Sequence, residues 1–328
     1  MYYIKDLEKE VFELPYKREN FRKIRILTGY ASSAFLYYIL EKYPDIEIDL
    51  IIGMAKKDGI NRWDHERYLQ LVNEYPKVNI YYRTLSPGIH SKIYYWYDDE
   101  CKGNSITFVG SANFSWNGFR DQIELLVAAN HENIDEVFNS AEPHLIACTA
   151  LNVEEYINFV NLRVKRTSKA NKEVQIVEQA RNSKDKSVQL LDLPYVDLSL
   201  MIDRTNSIHE KSGLNWGQRD GREPNQAYIP VPVPFNNANP NFFPPLKQNF
   251  ILITDDEQQL ICVMAQDGRK AIHTSKNNSI MGRYFRQRLG VPLGVKVEVQ
   301  DLINYGRTKV RIYKIDSETY FMDFGVIL

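Results

Sequence analysis

Residues 88–127, GIHSKIYYWYDDECKGNSITFVGSANFSWNGFRDQIELLV, set polar side chains in pairs two positions apart along runs of strand-forming residues. On a strand, positions i and i+2 point to the same face. His90 and Lys92 in HSKIYYWY would therefore emerge side by side, and so would Ser111 and Asn113 where SITFVG ends in GSAN. The intervening DDECKGN reads as a turn, and a third run, IELLVAA, starts beside Glu124. The set supplies an imidazole, an ammonium, two hydrogen-bond donors and a carboxylate to orient the imidazole. Those groups can attack a phosphodiester without a metal. HxK alone is common and GSxN alone is an ordinary turn. Their ordered combination on three successive strands is what carries specificity.

The chain leading into this stretch alternates strand and helix. KIRILTGY (23–30) reads as a strand ending at Gly29, and SSAFLYYILEKY as an amphipathic helix with Ser32 or Ser33 as N-cap. IEIDLIIGM (46–54) has the apolar density of a buried strand, RWDHERYLQLVNEY (62–75) reads as a helix, and VNIYYRT (78–84) as the next strand. His65, between Asp64 and Glu66, is expected on a solvated face of that helix. NIDEVFNSAEPHLIACTALN is expected to be mostly helix, interrupted at Pro143, with His131 and His144 structural. Together these define an α/β domain with a mixed sheet flanked by helices, over 1–160. Polar residues of mixed charge over 161–190 read as a helical and then mobile linker. From 191 to 328 short β-like runs with many Gly and Pro suggest a small, mostly β barrel or sandwich, with one helix near 279–289. The prolines of IPVPVPF make that piece an edge or extended segment.

HxK, then GSxN, then a carboxylate at Glu124 resembles the phospholipase D superfamily, specifically its nuclease branch with one motif set per chain. The full signature places an Asp close to position 98. Here Asp98 and Asp99 follow Tyr97, and neither is given that role. The resemblance implies two His–Lys sets facing one another. One imidazole attacks phosphorus to form a phosphohistidine, and the other protonates the leaving oxygen and then activates water. Lys92 and Asn113 would hold phosphate oxygens, Ser111 would bind phosphate, and Glu124 would orient the imidazole or polarise the partner histidine. This chain has one such set. A second HxK, His209 and Lys211 in HEK, is followed by no GSxN segment. A homodimer sharing one active site is therefore expected, acting without a metal or other cofactor.

Formal net charge is −1 over 328 residues, so any attraction for a polyanion must be local. Two stretches qualify. GLNWGQRDGREPNQAY (213–228) carries Asn215, Trp216, Gln218, Arg219, Arg222, Asn225 and Gln226. GRKAIHTSKNNSIMGRYFRQRLG (268–290) carries Arg269, Lys270, Lys276, Asn277, Asn278, Arg283 and Arg286 and no acidic residue. Arg, Asn and Gln make bidentate contacts to purine edges, while Lys and Arg neutralise phosphates. Cys101, Cys148 and Cys262 are too dispersed for a metal cluster or a disulfide framework, which fits a reducing cytoplasm. The start, MYYIKDLEKEVFEL, does not read as a signal peptide, and no run reaches membrane-spanning length.

The two halves together resemble the NgoFVII/BfiI-like restriction endonucleases, through LNWGQR, YFRQRLGVP, YGRT and YKIDSETYFMDF as well as the N-terminal motifs. That family joins a phospholipase D-like nuclease domain to a pseudobarrel similar to the plant B-three DNA-binding domain. The resemblance implies a type II enzyme of a restriction–modification system that cuts specific double-stranded DNA, with a cognate methyltransferase and, in some relatives, a separate ATPase subunit. The two basic stretches would be its arms into the major groove. Two other readings stay open at this point: a phospholipase D-like phosphodiesterase of another substrate class, and a DNA-binding regulator whose nuclease half is inactive.

Overall fold

The computed structural model of the chain describes residues 1–98, 105–129, 134–166, 174–179, 186–188, 193–202 and 204–326, with side chains described except in 161–166, 174–179 and 186–188. Asp99, Cys101 and His131 lie outside these residues. Two compact units are formed, 1–163 with 177–187, and 164–176 with 188–328.

The first unit is built on a mixed sheet of eight strands. Their order is Tyr2–Tyr3, Leu126–Ala129, Ser105–Gly110, Lys92–Tyr97, Lys23–Thr28, Glu47–Ile52, Val78–Arg83, Leu145–Ala147. The three strands that alternate with helices run parallel: Lys23–Thr28 beside Glu47–Ile52, and that beside Val78–Arg83. The motif strands are antiparallel, with Lys92 opposite Gly110 and Gly110 opposite Leu126. The helix Ser33–Lys42 begins where Ser32 Oγ accepts the Phe35 amide at 3.2 Å. An aromatic core holds the motif from beneath. Phe12 packs against Phe35, Tyr94, Trp96, Phe114 and Phe119, with ring centroids 5.5–6.4 Å apart.

The helix Arg62–Glu74 forms as expected, but His65 faces inward and is only 4% exposed. It shares a face with Tyr68 and Leu71, both fully buried. Its Nδ1 lies 3.0 Å from the Tyr82 hydroxyl and its ring packs 4.2 Å from Phe159. Charged sequence neighbours misdirected the expectation, because helix burial follows i, i+3 and not i±1. Burial, then the nearby Arg62 charge, lowers its pKa from 6.5 to about 4. The sign follows. Between pH 4 and 6.5 the unfolded chain holds a proton that the fold does not. The contribution is therefore complete above pH 6.5 and lost as pH falls toward 4. We expect His65→Gln, which keeps an acceptor for Tyr82, to remove up to roughly 3 kcal/mol of pH dependence over that window. Urea denaturation at several pH values reads it directly.

Three further expectations shift. The helix over NIDEVFNSAEPHLIACTALN is confined to Ile134–Ala141, and Leu145–Ala147 is an edge strand against Val78–Arg83. Where a helical linker was expected over 161–190, the described residues lie in strands instead, Phe159–Arg166, Val174–Gln179 and Lys186–Val188. IPVPVPF enters a short helix, Val233–Ala238, after an edge pair at Ile229–Pro230.

The second unit carries a seven-stranded sheet. The order is Tyr195–Ser199, Lys309–Lys314, Thr319–Asp323, Asn249–Thr254, Gln259–Ala265, Ala271–Thr274, Ile229–Pro230. Its two end strands approach each other, so the sheet is a nearly closed barrel, as the short-strand pattern implied. The helix Ser279–Leu289 closes one side. Gly282 lets it sit directly on the 225–227 backbone, since a Cβ there would meet the Asn225 carbonyl at 1.7 Å. A further helix, Val299–Tyr305, adds to the one expected near 279–289.

Candidate active site

The motif loop is legible residue by residue. In Ser111-Ala112-Asn113-Phe114-Ser115-Trp116, the apolar residues are fully buried and the polar ones face outward or half-outward. The loop thus lays its apolar side chains on the aromatic core and presents its polar ones at the end of the sheet.

Lys92 opens the Lys92–Tyr97 strand, and His90 stands just before it, exposed. The Lys92 ammonium lies 2.9 Å from His90 Nδ1 and 3.2 Å from Nε2, and also bonds the His90 carbonyl. Lys92 is 3% exposed. Burial lowers its pKa, and the Glu124 charge partly opposes that shift. Glu124 itself accepts a short hydrogen bond from Ser111 Oγ, which also accepts the Leu125 amide at 3.1 Å. The carboxylate is therefore anchored through Ser111, and it acts on Lys92 through space. Asn113 Oδ1 is bound at the end of the first parallel strand: the Tyr30 amide donates to it at 3.2 Å, and the Thr28 hydroxyl at 3.3 Å. That fixes the side chain and aims its NH2 end elsewhere.

Gly29 joins the two halves of the site, and the sequence reading assigned it no role. A Cβ on Gly29 would meet His90 Cδ2 at 3.0 Å and Asn113 Oδ1 at 3.3 Å. The His90 ring and the Asn113 amide are thus neighbours across a backbone with no side chain. The signal was the TGY at the end of the first parallel strand, because ligands of open α/β sheets bind beyond the carboxyl ends of the strands. Tyr30 continues that feature, its ring edge-on to His90 at 5.8 Å. The structure thus gathers His90, Lys92, Ser111, Asn113 and Glu124 at one end of the sheet. Among the described residues, no three His, Cys, Asp or Glu side chains are grouped to hold a metal. His144 lies in a single helical turn whose carbonyl caps Thr84, and His209 is exposed in the other unit.

The second unit sorts the expected DNA-reading residues into two groups. Asn215, Asn225 and Arg286 are interior, which corrects their expected place on a reading surface. Asn215 donates to the carbonyls of His209 and Val297 and accepts the Val297 amide at 2.8 Å. Asn225 accepts the Gly294 amide at 2.6 Å. Arg286 is fully buried, and its guanidinium donates to the carbonyls of Val295, Gly282 and Pro224 at 2.8–3.3 Å. Gln218 and Arg269 are half-buried and bind backbone carbonyls, at Pro224 and Gly294 for the first and at Phe243 for the second. These side chains hold the loops in shape. Arg219, Arg222, Lys270, Lys276, Asn277 and Arg283 are exposed. Arg222 lies 4.1 Å over the half-buried Trp216 ring and donates to Gln226. Asn277 caps the following helix through Ser279, and the Asn278 carbonyl takes the Ala227 amide. Of the cationic side chains singled out in the two stretches, Arg219, Arg222, Lys270, Lys276 and Arg283 are thus the ones that reach the surface.

Residues 5–155 match the family model for the NgoFVII restriction endonuclease N-terminal PLD domain, and residues 189–316 that for the NgoFVII C-terminal B3-like DNA-binding domain. Among solved structures, NucT from Helicobacter pylori is similar at 16% identity over 45% of this chain and 97% of NucT, with a TM-score of 0.33. No curated protein matches the chain. Among the described residues, no helix is long and apolar enough to cross a membrane.

Proposed function

Because the chain belongs to the NgoFVII-type restriction endonucleases in both of its halves, we propose that it is a type II enzyme that hydrolyses specific double-stranded DNA without a metal, through a phosphohistidine, at a site shared by two copies. The observation that carries this reading is the exposed His90 backed by a buried lysine, with one such pair among the described residues.

The chemistry balances as follows. One ring nitrogen of His90 forms a bond to phosphorus as the bond to the leaving strand oxygen breaks. The partner's His90, as imidazolium, gives its proton to that oxygen. Now neutral, the partner's His90 takes a proton from water, and the water oxygen displaces His90 from phosphorus. Both imidazoles end as they began. A phosphodiester entering the site meets Lys92 at the ring. When the ammonium turns to a non-bridging oxygen it releases the nitrogen for attack and offsets charge at phosphorus. Asn113, held by its oxygen, offers its NH2 end to a second oxygen. Ser111 and Glu124 fix the far wall and sustain the Lys92 charge against burial. One shared site and two DNA-binding domains mean that the two strands are cut one after the other.

Incubation of the protein with plasmid DNA in excess EDTA tests the reading. Discrete fragments are expected. Strict dependence on magnesium would sink the metal-free route. Site-specific retention of DNA without cutting would leave a DNA-binding regulator with an inactive nuclease half.

A further inference from the structure

A cleft of about 450 Å³ opens beside His90, with Tyr30, Met54, Lys57, Pro87 and Gly88 among its walls. Tyr30 is 42% exposed, yet it is held at three points. Its amide donates to Asn113 Oδ1, its hydroxyl donates to Asp58 at 2.6 Å, and its ring meets His90 edge-on at 5.8 Å and 77°. The bond to Asp58, with some burial, pushes the hydroxyl pKa up to about 12, so it remains a donor at neutral pH. An exposed aromatic ring fixed in this way adds little to folding. It is a ready platform, because stacking on it costs little further ordering. Lys57, also exposed, stands on the same cleft.

We propose that this cleft is a subsite for the nucleoside that stays bonded to the phosphate on His90, with the Tyr30 ring as its stacking wall and Lys57 facing the next phosphate along the strand. The inference rests on the nuclease reading above. A second cavity, of about 230 Å³, also has Tyr30 in its wall, but Asp58 and Asp64 line it and their charge disfavours a phosphate-bearing ligand. His90 lines only the larger cleft of the two, so a group attached to His90 is delivered there.

The test compares p-nitrophenyl esters that share one leaving group: the thymidine 3′- and 5′-phosphate esters, and methyl p-nitrophenyl phosphate. The full-length wild type is expected to favour one thymidine ester over the methyl ester by about ten-fold in kcat/KM, the worth of one stacked base. Tyr30→Phe should keep that preference and Tyr30→Ala should erase it. Should Tyr30→Ala fail to fold, Tyr30→Leu keeps apolar bulk without a π face and gives the same readout. A wild type with no preference, or a preference that survives loss of the ring, overturns the subsite. If plasmid DNA is still cut in that case, the nuclease reading stands and only the subsite falls. If no ester and no DNA is cut, both fall together.

Discussion

His90→Ala is expected to lower DNA cleavage on the order of a million-fold, the scale seen when a covalent nucleophile is removed from an otherwise intact site. His90 is exposed and precedes its strand, so the substitution leaves the sheet and the aromatic core untouched, and Tm should hardly move. On the proposed shared site the loss is larger than that of a single general acid, because one substitution in the symmetric pair deletes both the nucleophile and the proton donor. The proposed sharing has a second consequence. Co-expressed in equal amounts, wild-type and His90→Ala chains pair at random, and about a quarter of the sites keep both imidazoles. Activity per chain should then fall to about a quarter of wild type. A value near one half would mean that each chain cuts alone.

Arg286→Ala is expected to destabilise the DNA-binding unit by about 3 kcal/mol or more, since it strands several buried carbonyls that the guanidinium now satisfies. Those carbonyls come from three segments: Pro224 from the loop before the 229–230 strand, Gly282 from the same helix, and Val295 from the loop after it. Burial lowers the Arg286 pKa, with Glu223 partly opposing, which marks a charge paid no help from solvent. A Tm drop of roughly 10 °C in the C-terminal transition is the readout. Exposed arginines should behave differently. Arg219→Ala and Arg283→Ala should change Tm little, weaken DNA binding, and reduce its salt dependence by about one phosphate contact each. Equal behaviour of all three variants would contradict the division into a frame and a reading surface.

That division shows where the sequence was readable. The loop of the candidate site announces itself by period-two alternation: Ser111, Asn113 and Ser115 exposed or half-exposed, Ala112, Phe114 and Trp116 inward. A local pattern of that kind needs no distant partner to be understood. Asn215 and Arg286 have the composition of DNA-reading residues, but their partners, such as Val297 for Asn215 and Pro224 for Arg286, lie far along the chain, and only the fold reveals them. His65 was misplaced because its neighbours are charged while its helical face is apolar. The Val299–Tyr305 helix was hidden by the alternation in VKVEV, although its start carries a reciprocal cap between Glu298 and Asp301. Leu145–Ala147 is too short to declare itself, and its strand state comes from pairing with Tyr81–Arg83. Gly29 was visible as the end of a strand, but its nearness to His90 was not.

The central claim is that His90 attacks phosphorus directly, and a trapped intermediate tests it most closely. A labelled duplex would be cut in EDTA and quenched in alkali at short times, where a phosphohistidine survives, and the peptides then mapped. The account predicts a tryptic peptide containing His90 that carries the phosphate-linked strand, appearing and decaying on the time scale of cleavage and absent from His90→Ala. Full cleavage with no adduct on His90 at any time, or an adduct on another residue, would contradict it.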